Sequence, residues 1–140
     1  MERIGMTKTI MIKAMALSLL VWAGTMVYAY GQDNKIERLG NRQFKKKAKK
    51  ERAIILDVRT PDEFKEGHIP TAILMDYLDT EKFMAQIITL DKSKTYLLYC
   101  RSGKRSLKAA MAMKEKGLLN VCDLKGGYRK WKGPAAYGSQ

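Results

Sequence analysis

The sequence has few cysteines, few histidines and few acidic residues. Two cysteines in 140 residues are too few for a disulfide scaffold, and no Cys-x-x-Cys pair indicates a dithiol redox motif. A single histidine argues against a histidine-rich metal site. The 14 acidic residues are outnumbered by 27 lysines and arginines, so the formal net charge is +13. Such a charge attracts anions of any kind without choosing among them.

The length and the apolar content of the chain fit one globular domain. Of the 140 residues, 46% are hydrophobic and 29% are charged, which is an ordinary composition for a chain with a globular core. No internal repeat is present. We expect a single domain, and we expect it to be a monomer.

The N-terminal 30 residues have the order of a secretory signal. Three basic residues precede a nearly uncharged segment over residues 14–30, and small residues stand at the cut. We expect cleavage after Ala29, export to the periplasm or the medium, and a linker over residues 30–35. An uncleaved membrane anchor is the alternative, but the apolar segment has about the minimum length for a membrane span. Loss of residues 1–29 removes Glu2 and three cations, which lowers the net charge from +13 to +11.

A lysine-rich segment follows the linker. Residues 42–50 predict a thin amphipathic helix, capped by Asn41, with only Phe44 and Ala48 as its apolar stripe. No aromatic residues alternate with the lysines, as a base-stacking surface would need. We therefore interpret the lysines as a solvated helix face. We expect no nucleic-acid partner, and membrane contact only through the signal segment before its cleavage.

Apolar runs alternate with helical patterns along the rest of the chain. Nearly continuous apolar runs are typical of strands that are covered on both faces of a parallel sheet. The strands are expected at residues 36–39, 53–58, 72–75, 95–99 and 120–124, and the helices at residues 42–50, 61–66, 79–90 and 106–116. This alternation predicts an α/β fold, a parallel sheet flanked by helices on both faces.

The stretch YCRSGKRS places Cys100 at the carboxyl end of a predicted strand, a few residues before the helix that is expected from Ser106. Ligands gather at that edge of a parallel sheet, and the free amides of a helix N-terminus attract anions. Gly103 allows a sharp turn that directs successive amides inward. The pKa of Cys100 should therefore fall, which would make it a nucleophile. A merely buried thiol would not explain the basic loop that follows it.

Three blocks, LDVRTPDEFKEGHIPTA, YCRSGKRS and LKGGYRKW, resemble the rhodanese family of sulfurtransferases in order and spacing. The resemblance implies a rhodanese-like domain over residues 36–134. We expect the last residues, 135–140, to form a flexible tail. The resemblance implies that Cys100 carries sulfur as the catalytic residue. The implied substrate-binding loop consists of Arg101, Ser102, Gly103, Lys104 and Arg105. One departure is Thr71, where family members often have glycine.

The resemblance also implies the chemistry. Cys100 would take sulfur from thiosulfate or a similar small anionic donor as a persulfide, and would pass it to cyanide or a thiol without a metal or an organic cofactor. A non-catalytic persulfide carrier or partner-binding module is compatible with the same residues. A cysteine phosphatase is less favoured, because those enzymes place arginine six positions after the cysteine, whereas Arg105 is five positions after Cys100.

Several other polar residues have two interpretations. Asp57, Arg59, Glu63 and His68 could form an acid/base or metal site, and His68 could pair with Cys100, but the resemblance assigns this block to structural support. Cys122 is interpreted as a packed core thiol, with a disulfide to Cys100 as the alternative. Tyr128 and Trp131 are expected to pack at the end of the domain.

Overall fold

The computed structural model describes residues 35–139, and these form a five-stranded parallel sheet with helices on both faces. The expected signal segment, the cleavage site and residues 30–34 of the linker lie outside the described residues. Within residues 35–139, no helix combines the length and the hydropathy needed to span a bilayer.

The elements alternate in the expected order, and the sheet order is β1-β5-β4-β2-β3. All neighbouring strands are parallel, so the carboxyl ends of the strands share one edge of the sheet. The strands are β1 (Glu37–Leu39), β2 (Ile54–Asp57), β3 (Ile73–Leu74), β4 (Tyr96–Tyr99) and β5 (Val121–Leu124). The helices are α1 (Asn41–Glu51), α2 (Pro61–Lys65), α3 (Thr80–Ile87) and α4 (Lys104–Glu115), followed by a 3₁₀ turn at Tyr128–Lys130.

The side chains of the central strand β4 alternate between two cores, because successive residues of a strand point to opposite faces. Leu98 and Cys100 lie in the core that α3 and α4 cover, together with Phe83, Ile87, Ala109 and Met113. Leu97 and Tyr99 lie in the core that α1 and α2 cover, together with Phe44, Phe64 and Cys122. All four residues of β4 are buried, which accounts for its continuous apolar sequence. The expected α/β architecture is confirmed.

Three helix starts differ from expectation, and α3 spans Thr80–Ile87 rather than residues 79–90, with Asp79 as its cap. Gly40, not Asn41, is the cap of α1, and Asn41 is its first residue. The Asn41 side chain instead donates to the Lys130 carbonyl and accepts from the Lys132 amide, both at 2.8 Å. Helix α4 begins at Lys104 rather than Ser106. Two of the expected loop residues, Lys104 and Arg105, therefore lie in its first turn.

The turn before β3 explains the departure at Thr71. Thr71 has a φ of +68°, in the left-handed region that favours glycine. A β-branched residue is strained there, which is a physical reason for glycine at this position. Strand β3 itself is short, with only two residues.

The C-terminal segment differs from the loose tail that we expected. The amide of Ala136 donates to the carbonyl of His68 at 2.9 Å, and the amide of His68 donates back at 2.8 Å. The Gly138 amide also donates to the carbonyl of Lys65. These hydrogen bonds extend the ordered contacts of the domain past residue 134, because the extended backbone at His68 offers an amide and a carbonyl to pair with.

Candidate active site

Cys100 directly follows β4, the strand that lies between β2 and β5 in the sheet. Its side chain is 1% exposed and belongs to the core beneath α4. The chain then turns through residues 101–103, and Gly103 caps α4 with a φ of +90°. A strand end, a three-residue turn and a helix start thus place the thiol at the N-terminus of α4.

The thiol of Cys100 accepts hydrogen bonds from this turn. The Gly103 amide donates to Sγ at 3.1 Å, and the Ser106 hydroxyl lies 3.4 Å from Sγ. Burial by itself would raise the pKa of Cys100, but hydrogen bonds from the Ser106 hydroxyl and from the amides of Ser106, Ser102 and Gly103 outweigh it, so the net shift is downward. The structure therefore favours the thiolate without a neighbouring base.

Arg105 is held by a residue far away in the sequence. Its two terminal nitrogens donate to the two oxygens of Glu63 on α2, each at 2.8 Å. The hydrogen bond from Arg105 lowers the pKa of Glu63 to about 2 against the opposing effect of burial, and the Thr60 backbone helps. Glu63 also forms a capping box with Thr60 at the start of α2. The charge of Arg105 is therefore partly compensated, whereas Arg101 and Lys104 are exposed.

The segment after β5 supports the first half of the loop. The Tyr128 amide donates to the Cys100 carbonyl at 2.8 Å, and the Arg129 amide donates to the Arg101 carbonyl at 3.1 Å. Gly127 makes this approach feasible, because a Cβ there would lie only 2.4 Å from the Cys100 carbonyl oxygen. The LKGGYRKW block is thus a backbone support for the nucleophile.

In the block LDVRTPDEFKEGHIPTA, the polar side chains of Arg59 and His68 contact neighbouring parts of the fold. Arg59 pairs with Asp57 at 2.6 Å, donates to the Gly67 carbonyl at 2.8 Å and lies over the ring of Tyr128. His68 hydrogen-bonds the Phe64 carbonyl through Nδ1 at 2.9 Å. Its ring stacks on that of Phe64, with ring centroids 3.6 Å apart. These contacts hold the imidazole of His68 against α2 rather than against Cys100.

Tyr99 belongs to the same support. Its hydroxyl accepts from the Ile69 amide at 3.0 Å, and burial raises its pKa. Tyr99 lies in the core on the face opposite Cys100, so it packs below the site rather than lining it.

Cys122 cannot reach Cys100. Cys122 faces Leu97 across the sheet, and Cys100 lies three residues beyond Leu97, just past the end of β4 and about 10 Å away. The two thiols also lie in the cores on opposite faces. A disulfide needs Cα atoms within about 7 Å. Burial, with the hydrogen bond to Glu37 adding to it, raises the pKa of Cys122 to about 12, so it is an inert core thiol.

Sequence reasoning missed three residues behind the loop: Ser106, Asp123 and Arg38. Asp123 is fully buried in β5, accepts a short hydrogen bond from the Ser106 hydroxyl, and pairs with Arg38 at 2.8 Å. The signal for Asp123 was its position in the otherwise apolar run NVCDL, because a buried carboxylate needs partners. No comparable signal marks Arg38, which is an ordinary residue of a short edge strand.

A cavity of about 270 Å³ opens beside the loop. Its lining includes the cations Arg59, Arg101 and Arg129, the ring of Tyr128 and the acidic Glu63 and Glu66. It therefore offers cationic, aromatic and acidic contacts next to the Cys100 turn.

A buried thiol at the central strand end, enclosed by the amides of a short loop, defines a cysteine-based group-transfer or anion-binding site on a parallel α/β sheet. Residues 41–134 match the family described as Rhodanese-like domain, and the chain belongs to that family.

The chain is also similar to individual proteins and to a solved structure. The chain is 30% identical over 119 residues to the uncharacterised protein YqhL of Bacillus subtilis, which covers 82% of this chain and 90% of that protein. It is 35% identical over 85 residues to Thiosulfate sulfurtransferase 16, chloroplastic, of Arabidopsis thaliana, with 54% of this chain and 71% of that protein covered. A crystal structure of a rhodanese-related protein from Thermoplasma volcanium superposes with a TM-score of 0.62 at 25% identity, covering 71% of this chain and 97% of that chain.

Proposed function

We propose that this protein is a single-domain sulfurtransferase that takes sulfur from thiosulfate or a similar donor as a Cys100 persulfide and passes it to cyanide or a thiol. The observation that carries the proposal is the ring of donors around Sγ, formed by the amides of Ser102, Gly103 and Ser106. These donors stabilise a negative charge on sulfur without a general base.

The transfer proceeds in two displacements. The Cys100 thiolate attacks the outer sulfur of thiosulfate, a sulfur–sulfur bond forms, and the bond to the sulfonate sulfur breaks with its electron pair leaving on sulfite. The product is a persulfide anion on Cys100, whose outer sulfur the loop amides hold. Cyanide then attacks that outer sulfur, thiocyanate leaves, and the thiolate returns. Charge is conserved in both steps, and no proton or external electron is required.

The basic residues around the loop suit an anionic donor. Arg101 and Lys104 are exposed next to Cys100 in the loop, and Arg101 and Arg129 line the adjoining cavity. The relative from Arabidopsis thaliana is named as a thiosulfate sulfurtransferase, which supports thiosulfate as the first donor to test. Phosphatase chemistry is less well supported, because Arg105 is held in a two-point ion pair with Glu63.

The test is the production of thiocyanate from thiosulfate and cyanide by the purified protein. We expect turnover by the natural sequence and none by Cys100→Ser, while Cys122→Ser, which changes a thiol in the opposite core, retains it. Mass spectrometry after incubation with thiosulfate alone should show one added sulfur on Cys100. Sulfur loading without turnover would indicate a carrier that needs a protein partner. Hydrolysis of an aryl phosphate without sulfur loading would replace the proposal with a phosphatase.

We propose further that the protein acts outside the cytoplasm, after cleavage following Ala29. The support is the order of charge and apolar residues in the first 30 positions. N-terminal sequencing of the protein recovered from cell fractions tests this. A first residue of Tyr30 in the periplasm or the medium is expected, and an intact N-terminus in the cytosol would contradict it.

A further inference from the structure

The hydroxyl of Ser106 faces two acceptors that compete for it. Its Oγ lies 3.4 Å from the Cys100 Sγ and forms a short hydrogen bond with the Asp123 Oδ1. A serine hydroxyl has one proton and can donate to only one of them at a time. The state of Asp123 therefore bears directly on how many donors the Cys100 thiolate has.

Asp123 has the surroundings of a carboxylate. It is fully buried, and each of its oxygens faces a donor: Ser106 at Oδ1 and Arg38 at Oδ2. Burial raises the pKa of Asp123 above its ordinary value, although the hydrogen bonds from Ser106 and Arg38 oppose the rise. Arg38 is itself partly exposed, so the ion pair is reachable by solvent from one side.

The same arginine contacts the loop. Its Nη2 donates to the Gly103 carbonyl at 3.2 Å. Because a peptide unit is planar and trans, a Gly103 carbonyl directed out toward Arg38 directs the following amide, that of Lys104, to the opposite side. The Arg38–Asp123 pair thus contacts both the backbone and the hydroxyl that surround Cys100.

Three cations follow Cys100 in the loop and the first turn of α4. Arg105 pairs with Glu63 of α2 and also interacts with Cys100, whereas Arg101 and Lys104 are exposed. On β2, Asp57 pairs with Arg59. Among the described residues, Asp123 is the fully buried carboxylate that shares a hydroxyl donor with Cys100.

We propose that Asp123 is a positioning residue that controls Cys100 by competing for the single hydroxyl proton of Ser106. When the negative charge resides on Sγ, Ser106 turns to Sγ. When sulfur is loaded, the charge moves to the outer sulfur, and Ser106 turns back to Asp123. The Ser106 O–H bond stays intact throughout, and only the torsion about its Cβ–Oγ bond changes.

This competition destabilises the empty thiolate relative to the loaded state. An ionised Asp123 repels the nearby thiolate and draws away one of its donors. A thiolate of higher basicity is also the stronger nucleophile. Asp123 thus favours sulfur uptake, and in this respect the inference rests on the proposed function.

The test is the pH dependence of Cys100 alkylation by iodoacetamide, with the site of alkylation read by peptide mass spectrometry. Asp123→Asn retains the size and the oxygen of the side chain but removes the charge. We expect Asp123→Asn to lower the midpoint pH of Cys100 alkylation by about one unit, which is a roughly tenfold change in the ratio of thiolate to thiol. In a Ser106→Ala background the same substitution should produce less than half of that shift. Ser106→Thr, which retains the hydroxyl, should restore it.

An unchanged or raised midpoint in Asp123→Asn would overturn the proposal, and so would an equal shift with and without the Ser106 hydroxyl. A second measurement needs no variant that could fold poorly. The infrared carboxylate bands of the natural protein, compared before and after alkylation at high pH, should change as the Ser106 proton returns to Asp123. Unchanged bands would also overturn it.

Alkylation requires no sulfur donor. If Asp123→Asn shifts the alkylation midpoint but the natural protein forms no thiocyanate, the proposed function is wrong and the role of Asp123 is supported. If the natural protein forms thiocyanate but Asp123→Asn leaves the midpoint unchanged, the proposed function is supported and the role of Asp123 is wrong.

Discussion

The Glu63–Arg105 ion pair joins α2 to the first turn of α4. Both terminal nitrogens of Arg105 donate to Glu63 at 2.8 Å, across 42 residues of sequence. The pairing depends on how α2 and α4 lie in the folded protein, so the sequence did not reveal it. Cys100 and Gly103 were recognisable from the sequence, because they are near neighbours in the chain and glycine suits a left-handed turn.

The Glu63–Arg105 pair should contribute to stability in a pH-dependent way. The folded protein holds the pKa of Glu63 down at about 2, against an ordinary value of 4.5. The stabilisation is therefore fully present above about pH 4.5 and is lost as the pH falls through about 2. We expect Glu63→Gln to lower the free energy of unfolding by about 1–2 kcal/mol at pH 7, with a smaller loss at pH 3. Denaturant titrations at both pH values measure this.

Glu66→Gln is the matched control for this prediction, because Glu66 directly follows α2 and is exposed to solvent. It should change stability by less than about 0.5 kcal/mol. A Glu63→Gln loss that is the same at pH 3 and pH 7 would show that charge is not its source.

Thr71 offers a residue-scale gain in stability. It is exposed and has a φ of +68°, where a β-branched side chain is strained. Thr71→Gly should raise the free energy of unfolding by about 1 kcal/mol, reduced somewhat by the greater freedom of glycine in the unfolded chain. Thr71→Ala retains a Cβ and should gain much less. Chemical denaturation of the two variants measures the difference. Equal stabilities would show that the gain does not come from relief of backbone strain.

At the scale of the elements, the sequence predicted the ends of the strands and helices to within one residue, except for the end of α3 and the start of α4. It placed the start of α4 two residues late. Serine is a common cap, so Ser106 attracted the boundary. The first turn instead opens with Lys104 and Arg105, cations at the positive end of a helix dipole. A thiolate at Cys100, which the lowered pKa favours, would offset this unfavourable arrangement. The helix start is therefore explained by the site, which sequence patterns alone do not contain.

The approach of the segment after β5 to the loop gives an element-scale prediction. A Cβ at Gly127 would lie 2.4 Å from the Cys100 carbonyl oxygen and 2.6 Å from that of Arg101. These are backbone atoms that cannot rotate away. Gly127→Ala should therefore cost about 2–4 kcal/mol of stability and slow the alkylation of Cys100. Thermal unfolding and the alkylation rate measure the two effects.

Gly138→Ala is the control, because Gly138 has a φ of +90° and, among the described residues, no other atom lies within 4 Å of the position that a Cβ would take there. It carries the backbone strain without the collision. Similar losses in stability and alkylation rate for the two variants would mean that the contact with Cys100 is unimportant.

At the scale of the whole molecule, the two faces of the sheet separate the two cysteines. The alternation of β4 sends Cys100 to one core, and the register of β5 sends Cys122 to the other. The sequence left their pairing open, because strand order was not visible in it. Once β4 and β5 are neighbours in this register, only one thiol remains available for chemistry, and the other is part of the packing.

The net charge of +13 acts over the whole molecule and should be visible as a salt effect. A positive field raises the encounter rate of anions, and salt screens it, with a Debye length of about 30 Å at 0.01 M and about 10 Å at 0.1 M. Iodoacetate and iodoacetamide are a matched pair of reagents, because both alkylate a thiolate and only the first is an anion. We expect the rate constant of Cys100 with iodoacetate to fall about three- to tenfold between ~0.01 M and ~0.3 M ionic strength, and that with iodoacetamide to change less than twofold. If the two reagents respond equally, the charge does not act at this site. A response confined to iodoacetate would show that the basic composition serves the loop, and the KM for thiosulfate should then rise with salt in parallel.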